Sequence, residues 1–175
     1  MSDFSKLITK RRSIRKFTDE AIKPQEVELI LKAGLKAPSS KNGKSWHFIA
    51  VEDKGVLEKL SASKKGTAKM IAGCPLAIVV TADPFISTAW VEDASIAAIM
   101  MQLQAEDLNI GSCWVQIRDR LTEDGASSEE YIKEILDIPM QLQVLCVIAL
   151  GYKAQDKSPA DDDKLEWDKV HIGKY

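Results

Sequence analysis

The segment Arg11-Arg12-Ser13-Ile14-Arg15-Lys16-Phe17 and the later turn Ala37-Pro38-Ser39-Ser40-Lys41-Asn42-Gly43 decide how this chain is interpreted. The first segment concentrates guanidinium groups, whose planar fork of donors matches a phosphate. If that segment is helical, Arg11 and Arg15 share a face because they are four residues apart. The turn is rich in hydroxyl and amide groups and leads into a strand-like stretch at residues 46–51. The alternatives are a solvated basic surface for the first and a plain helix-to-strand turn for the second.

Length and composition indicate an ordinary globular protein. At 175 residues with 45% hydrophobic residues, the chain can bury a core, and we interpret residues 1–175 as a single domain. The net charge of -2 argues against a nucleic-acid partner. No apolar run approaches the roughly 20 residues that span a bilayer. The N-terminal residues also lack the apolar centre of a signal peptide, so we expect a cytoplasmic protein without a membrane partner.

The cysteines and histidines give no indication of a metal site. The three cysteines are far apart in sequence and two lie in apolar stretches. They are typical of reduced core residues rather than of a disulfide framework. With only two histidines in the chain, we expect no zinc or other metal centre.

The hydrophobic pattern predicts alternating helices and strands. Two nearly unbroken apolar runs, residues 76–81 and 145–150, predict strands that are covered on both faces. Pro24 suits the first turn of a helix, and Pro38 ends it because the residue before a proline avoids helical geometry. The other predicted elements are strands at 46–51 and 112–117 and helices at 56–60, 91–108 and 129–136.

The helix at residues 91–108 is apolar around much of its circumference. One stripe of small and apolar residues comprises Ala94, Ala97, Ala98, Met101, Ala105 and Leu108. The apolar surface is extended by Ile96, Ile99, Met100 and Leu103. Such a helix is buried, and in so small a domain we expect another subunit to bury part of it. Asn109 and Gly111 suit the positive-φ turn that ends it.

The tail beyond residue 153 is polar but carries Trp167, Val170 and Ile172. Buried-type residues in such a tail indicate that it docks on another surface, and a partner chain is one candidate.

The order of these weak signals makes the pattern specific. Along the chain stand Arg-Arg-Ser-Ile-Arg-x-Phe, Ala-Pro-Ser-Ser-x-Asn, Trp-His-Phe, Pro-x-x-Ile-Val-Val, the long helix, Gly-Ser-Cys-Trp and Gly-Tyr-Lys-Ala. From about residue 4 to its end the chain resembles the flavin-dependent nitroreductase family. This resemblance implies an α+β fold whose central mixed, mainly antiparallel sheet is flanked by helices. It also implies a homodimer with two flavin sites at the interface and a C-terminal segment that extends onto the partner.

The resemblance further implies flavin mononucleotide (FMN) as cofactor and assigns roles to the basic residues. Arg11, Arg12 and Ser13 would hold the phosphate and ribityl chain. Arg15 would approach N1 and O2 of the flavin, and Lys164 in the tail matches a phosphate contact of the family.

The remaining implied site residues come from the turn, from the strand after the long helix and from a loop. The partner chain would supply Pro38, Ser39, Ser40 and Asn42. Beside the ring would lie Trp114, Val115 and Gln116, with the Gln116 backbone N–H near N5. Lys69 would be a second cation near O2. From the residues alone, the strand that begins after Gly111 is equally well explained as a core strand after a tight turn.

The implied activity is that of an NAD(P)H-dependent FMN oxidoreductase. Hydride would pass from NADH or NADPH through flavin N5 to an electron-poor acceptor, nitroaromatic or quinone-like, with ping-pong kinetics. No catalytic side chain is required, because the flavin carries the chemistry. The alternatives are the same fold with another reaction (enone reduction, dehalogenation or flavin consumption) and a flavin-binding protein without turnover. Compared with longer members, residues 60–75 and 81–90 leave little room for the inserted helices that cover the flavin.

Overall fold

The computed structural model describes residues 2–175 and has the predicted α+β architecture. The four strands are β1 (Trp46–Val51), β2 (Leu76–Ala82), β3 (Ile110–Gln116) and β4 (Gln143–Tyr152). The five α-helices are α1 (Asp3–Lys10), α2 (Pro24–Leu35), α3 (Lys54–Ser61), α4 (Trp90–Asp107) and α5 (Ser128–Leu136). Short 3-10 helices stand at Ser40–Asn42, Lys69–Gly73, Asp162–Lys164 and Trp167–Lys169.

The strands form one sheet in the order β1-β2-β4-β3. All three strand pairs are antiparallel. Among residues 2–175 the parallel component is a single bridge between Ser13 and Ser112, which places the basic segment against edge strand β3. The sheet is therefore antiparallel throughout its strands, and the basic segment supplies its mixed character.

Helices cover both faces of the sheet. One face packs against α2 and α4, with Ile78 of β2 and Ile148 of β4 in that core. Val79 and Val147 point into the other core, which α3, α5 and Lys69–Gly73 complete. Since β2 and β4 occupy the centre of the sheet, both of their faces are covered, as their continuous apolar runs predicted.

Helix α4 separates buried from exposed apolar residues. Ala94, Ala97, Ala98, Met101 and Ala105 are fully buried, which confirms most of the predicted stripe. On the outer face, Ile96 and Ile99 are 38% and 39% exposed.

The turn after α4 corrects one expectation. Asn109 adopts the left-handed conformation, with φ of 60°, but Gly111 lies inside β3 outside that region. The expectation that Gly111 supplies the positive φ was wrong, and its position serves the close approach described next.

Candidate functional site

A pair of glycines makes room for the basic segment on the sheet. Gly111 of β3 and Gly151 of β4 face each other across the strands. A Cβ at Gly111 would meet Ile14 Cγ2 at 2.8 Å, and a Cβ at Gly151 would meet Phe17 Cβ at 2.8 Å. The segment from Ile14 to Phe17 thus fills the space that two side chains would occupy. Backbone bonds from Ile14 N–H to the Ser112 carbonyl (2.9 Å) and from Thr18 N–H to the Tyr152 carbonyl (2.9 Å) fix it there.

The basic segment lies outside any helix and joins the sheet region through isolated bridges at Ser13 and Phe17. Helix α1 ends at Lys10, and Arg11 already has extended backbone angles. Arg11 and Arg15 therefore do not lie on one face of a helix. Successive side chains of an extended chain point to opposite sides, so Arg11, Ser13 and Arg15 share a side for a different reason than the helical spacing suggested.

The shared side of the segment faces the Cys113 thiol of β3. Burial raises the pKa of this thiol above its ordinary value. Neighbouring groups oppose that rise by their positive charge or, in the case of the serine, by a hydrogen bond: Arg15, Lys157, Ser13 and Arg11. Three cations and a hydroxyl group therefore act electrostatically on one buried position of β3. We call this group, Arg11, Ser13, Arg15 and Lys157 around Cys113, the cation cluster.

Lys157 reaches the cation cluster because the tail folds back along the N-terminal segment. Ala154 N–H donates to the Lys16 carbonyl at 3.1 Å, and Ala160 N–H donates to the Thr9 carbonyl at 2.8 Å. Between these two points the Arg12 guanidinium donates to the Ser158 and Pro159 carbonyls. The Lys157 side chain itself is exposed, and no pattern in the sequence marks these backbone contacts.

Ionic contacts to a buried carboxylate join the elements that flank the basic segment. The Glu106 carboxylate of α4 is almost fully buried and accepts from Lys153 Nζ at 2.7 and 2.9 Å. Lys10 Nζ lies 3.7 Å from the same carboxylate. These contacts join the ends of α1, α4 and β4, the elements on which the basic segment rests.

The predicted ligand turn is anchored to α4. Ser40 N–H donates to Asp93 Oδ1 at 2.7 Å. Lys44 N–H donates to Ser39 Oγ at 3.0 Å. Pro38, Ser40 and Asn42 are exposed and Ser39 half-buried, so the turn presents its polar groups at the surface.

Trp114, Val115 and Gln116 occupy successive positions at the end of β3. Trp114 Nε1 donates to Gln116 Oε1 at 3.0 Å, and Gln116 Nε2 donates to the Arg118 carbonyl at 3.0 Å. Val115 is buried and its side chain belongs to the core, so any ligand contact at this position must use the backbone.

The two other predicted cations have different surroundings. Lys69 lines a cavity of about 450 Å³ together with Lys64 and the 122–124 turn. Lys164 is exposed and pairs with Asp161 at 3.1 Å. No contact of either side chain with the cation cluster is observed among residues 2–175, and both assignments stay predictions.

A model described as the Nitroreductase family matches residues 8–69 and 54–152 of the chain. The chain is 37% identical over its whole length, and over the whole length of the relative, to a protein of Archaeoglobus fulgidus named as a candidate NADH dehydrogenase/NAD(P)H nitroreductase. A second relative, the FMN reductase [NAD(P)H] of Bacillus subtilis, is 39% identical over 61 residues, which is 35% of this chain and 24% of that protein.

Solved structures share the fold. The FMN-dependent nitroreductase from Clostridium difficile R20291 superposes with a TM-score of 0.94 at 43% sequence identity, over 97% of this chain and 98% of that one. A nitroreductase family protein from Clostridium novyi NT superposes with a TM-score of 0.77 at 28% identity, over 95% of this chain and 90% of that one.

Proposed function

The chain belongs to the nitroreductase family, and from this premise we propose that it is an FMN-dependent oxidoreductase that uses NADH or NADPH. The names of the A. fulgidus, B. subtilis and C. difficile proteins support the nicotinamide reductant and the flavin. FMN, when bound, supplies the hydride chemistry, while the protein supplies position and electrostatics.

The observation that carries this proposal is the cation cluster. The phosphate of FMN needs charged donors and hydroxyl groups, and Arg11, Ser13 and Lys157 provide two cations and one hydroxyl. Charge-assisted hydrogen bonds of this kind are roughly twice as strong as neutral ones. The donor set therefore fits the phosphate end of FMN, and Arg12 contributes by holding the tail that carries Lys157.

Arg15 has the electrostatic role in this proposal. When FMN is bound, Arg15 would supply a positive charge towards the pyrimidine edge, where negative charge develops during reduction. A positive charge at that place would stabilise the developing charge. The backbone of Val115 and Gln116 lies at the end of β3, where it would contact the ring of bound FMN.

A dimer completes the proposed site. The outer face of α4 exposes Ile96 and Ile99, and in the tail Trp167 is 70% and Ile172 96% exposed. Exposed large apolar side chains suit an interface, and a two-fold dimer is the commonest way to cover them. In such a dimer the tail extends onto the partner and the turn at residues 38–42 reaches the partner's flavin.

The proposed acceptor is a small electron-poor molecule such as a nitroaromatic or a quinone.

The proposed place of action is the cytoplasm. None of the helices in residues 2–175 combines the length and apolarity needed to cross a membrane. The cysteines Cys74, Cys113 and Cys146 are free and buried, which suits a reducing compartment.

Anaerobic reduction of the purified protein tests the function. We expect bound flavin whose visible absorbance bleaches on addition of NADH or NADPH and returns when a quinone or nitroaromatic is added. A colourless protein that does not take up FMN would contradict the cofactor assignment. A flavin that neither nucleotide bleaches would instead indicate a binding protein without turnover. If bleaching occurs but neither acceptor restores the colour, enone reduction and dehalogenation become the reactions to test.

A further inference from the structure

One buried carboxylate joins the ligand turn to the helix with the exposed apolar face. Asp93 in the first turn of α4 is 3% exposed. Its Oδ1 accepts from Ser40 N–H at 2.7 Å, and its Oδ2 accepts from Ser87 Oγ at 2.8 Å. A buried carboxylate requires such hydrogen bonds, and the first turn of a helix favours its negative charge. Asp93 is therefore held in one place between two loops.

The turn that Asp93 holds is conformationally strained. Lys41, Asn42 and Lys44 have φ angles of 51°, 55° and 51°, in the left-handed region that L-residues with a Cβ adopt at a cost. Such residues persist only where the surroundings fix them, and they cluster at ligand-binding positions. Inside the turn, Asn42 N–H donates to the Ser39 carbonyl (3.0 Å), Gly43 N–H to the Ser40 carbonyl (2.9 Å) and Lys44 N–H to Ser39 Oγ (3.0 Å). The bond from Ser40 N–H to Asp93 ties the turn to α4.

The two ends of the turn are fixed on the same helix. Ala37 and Trp46 pack against Ala97 in a small core cluster. Because Ala97 follows Asp93 by four residues, both contacts use one face of α4. The turn is thus attached to α4 by apolar packing at both ends and by a hydrogen bond in the middle.

We propose that Asp93 is a positioning residue for the cofactor: it holds the Ser39–Asn42 turn in the strained conformation that contacts FMN. The inference rests on the proposed function, since it assigns the turn a cofactor to contact. Asp93 itself acts through the Ser40 backbone. Ser87 takes part by fixing the orientation of the carboxylate, because its hydroxyl also accepts from Ala89 N–H at 3.2 Å.

Three variants separate this role from a general effect on folding. Asp93→Ala removes both acceptors. If the turn then occupies its binding conformation about a tenth of the time, the apparent dissociation constant for FMN rises about tenfold. Asp93→Asn keeps an oxygen that can accept from Ser40 N–H, so we expect a smaller rise. Glu92→Ala removes the same charge from the same helical turn at an exposed side chain, and we expect affinity equal to that of the original protein.

Titration of the apoprotein with FMN, followed by flavin fluorescence and visible circular dichroism, gives both affinity and the surroundings of the bound ring. Hydrogen exchange of the Ser40 amide is measured on the same apoproteins. We expect Asp93→Ala to weaken binding, alter the dichroism and speed exchange at Ser40, with Asp93→Asn intermediate. A lowered melting temperature with unchanged affinity and dichroism means a structural role only and overturns the proposal.

The two proposals fail differently. If the original protein binds FMN and Asp93→Ala binds it equally well, only the role of Asp93 is wrong. If the original protein does not bind FMN, the proposed function is wrong, and the cofactor role of Asp93 falls with it whatever the exchange at Ser40.

Discussion

Replacement of Gly111 by alanine tests whether the glycine pair is what admits the basic segment. The new Cβ would lie 2.8 Å from Ile14 Cγ2 and 3.0 Å from both Ile14 Cβ and Lys153 Cγ. Ile14 is buried and its N–H is bonded to the Ser112 carbonyl, so it cannot move aside freely. Overpacking of this kind costs about 1–3 kcal/mol. For a domain of this size each kcal/mol lowers the melting temperature by about 2–4 °C.

Urea unfolding monitored by circular dichroism measures the loss, and Gly73→Ala is the matched control. Within residues 2–175, no atom of another residue lies within 4 Å of a Cβ at Gly73 beyond its chain neighbours, and its φ is not in the left-handed region. We expect the control to be nearly neutral and Gly111→Ala to lose stability and FMN affinity together, because Ser13 and Arg15 flank Ile14. Ile14→Ala opens space at the same contact, so the double variant should lose less than the sum of the single losses. Equal effects of the two glycine variants, or strict additivity in the double variant, would refute this explanation.

Four further outcomes are expected. Arg11→Ala should weaken FMN binding by about 1.5–3 kcal/mol without unfolding the protein; a full flavin complement after purification would exclude Arg11 as a phosphate ligand. Arg15→Gln should keep the flavin but lower its two-electron midpoint potential by roughly 30–60 mV, and an unchanged redox titration would exclude its electrostatic role. Burial raises the pKa of Cys74 from 9.0 to about 11, so the contribution of this thiol to stability is complete below pH 9 and is lost as pH rises towards 11. Urea unfolding of the original protein and of Cys74→Ala at pH 8 and pH 10.5 measures this loss. Equal pH dependence of the two proteins would contradict the expectation. Ile99→Arg on the outer face of α4 should give monomers that lose FMN in sedimentation at two wavelengths, and a monomer that retains flavin would show that one chain builds the site.

The choice of Ile99 for the substitution that disrupts the dimer depends on the structure and not on the apolar pattern of α4. Ala98 on the predicted stripe is also a candidate for disrupting a dimer by sequence reasoning. It is fully buried within its own chain, however, among residues of the core between α4 and the sheet. Arginine there would unfold the domain, so only an exposed position such as Ile99 separates association from folding.

The elements of the fold were predictable because their signals are local. The runs that became β2 and β4 are apolar at nearly every position, and the stripe on α4 repeats with helical spacing. Both patterns depend on short-range periodicity, which a sequence displays directly. The pairing order β1-β2-β4-β3 depends on long-range contacts and was not predicted; the family resemblance supplied only the mainly antiparallel character of the sheet.

The geometry of the cation cluster was not predictable from the same patterns. Arg11, Ser13 and Arg15 share a side only because α1 ends at Lys10, a boundary that the charge-rich sequence does not mark. Lys157 joins them through backbone bonds of the tail, and neighbouring Lys164 does not. A basic residue in a polar tail looks the same in sequence whether it is solvated or held.

Helix α4 connects the two halves of the proposed site. Its inner face carries Asp93 and Ala97, which hold the ligand turn, and its outer face carries Ile96 and Ile99. A partner seated on the outer face restricts the same rigid element from which the turn projects. If that turn contacts the partner's flavin, cofactor binding and dimer formation are thermodynamically linked, so each strengthens the other. In such a dimer the partner's turn would complete the site, and no inserted helix would be needed to cover the flavin.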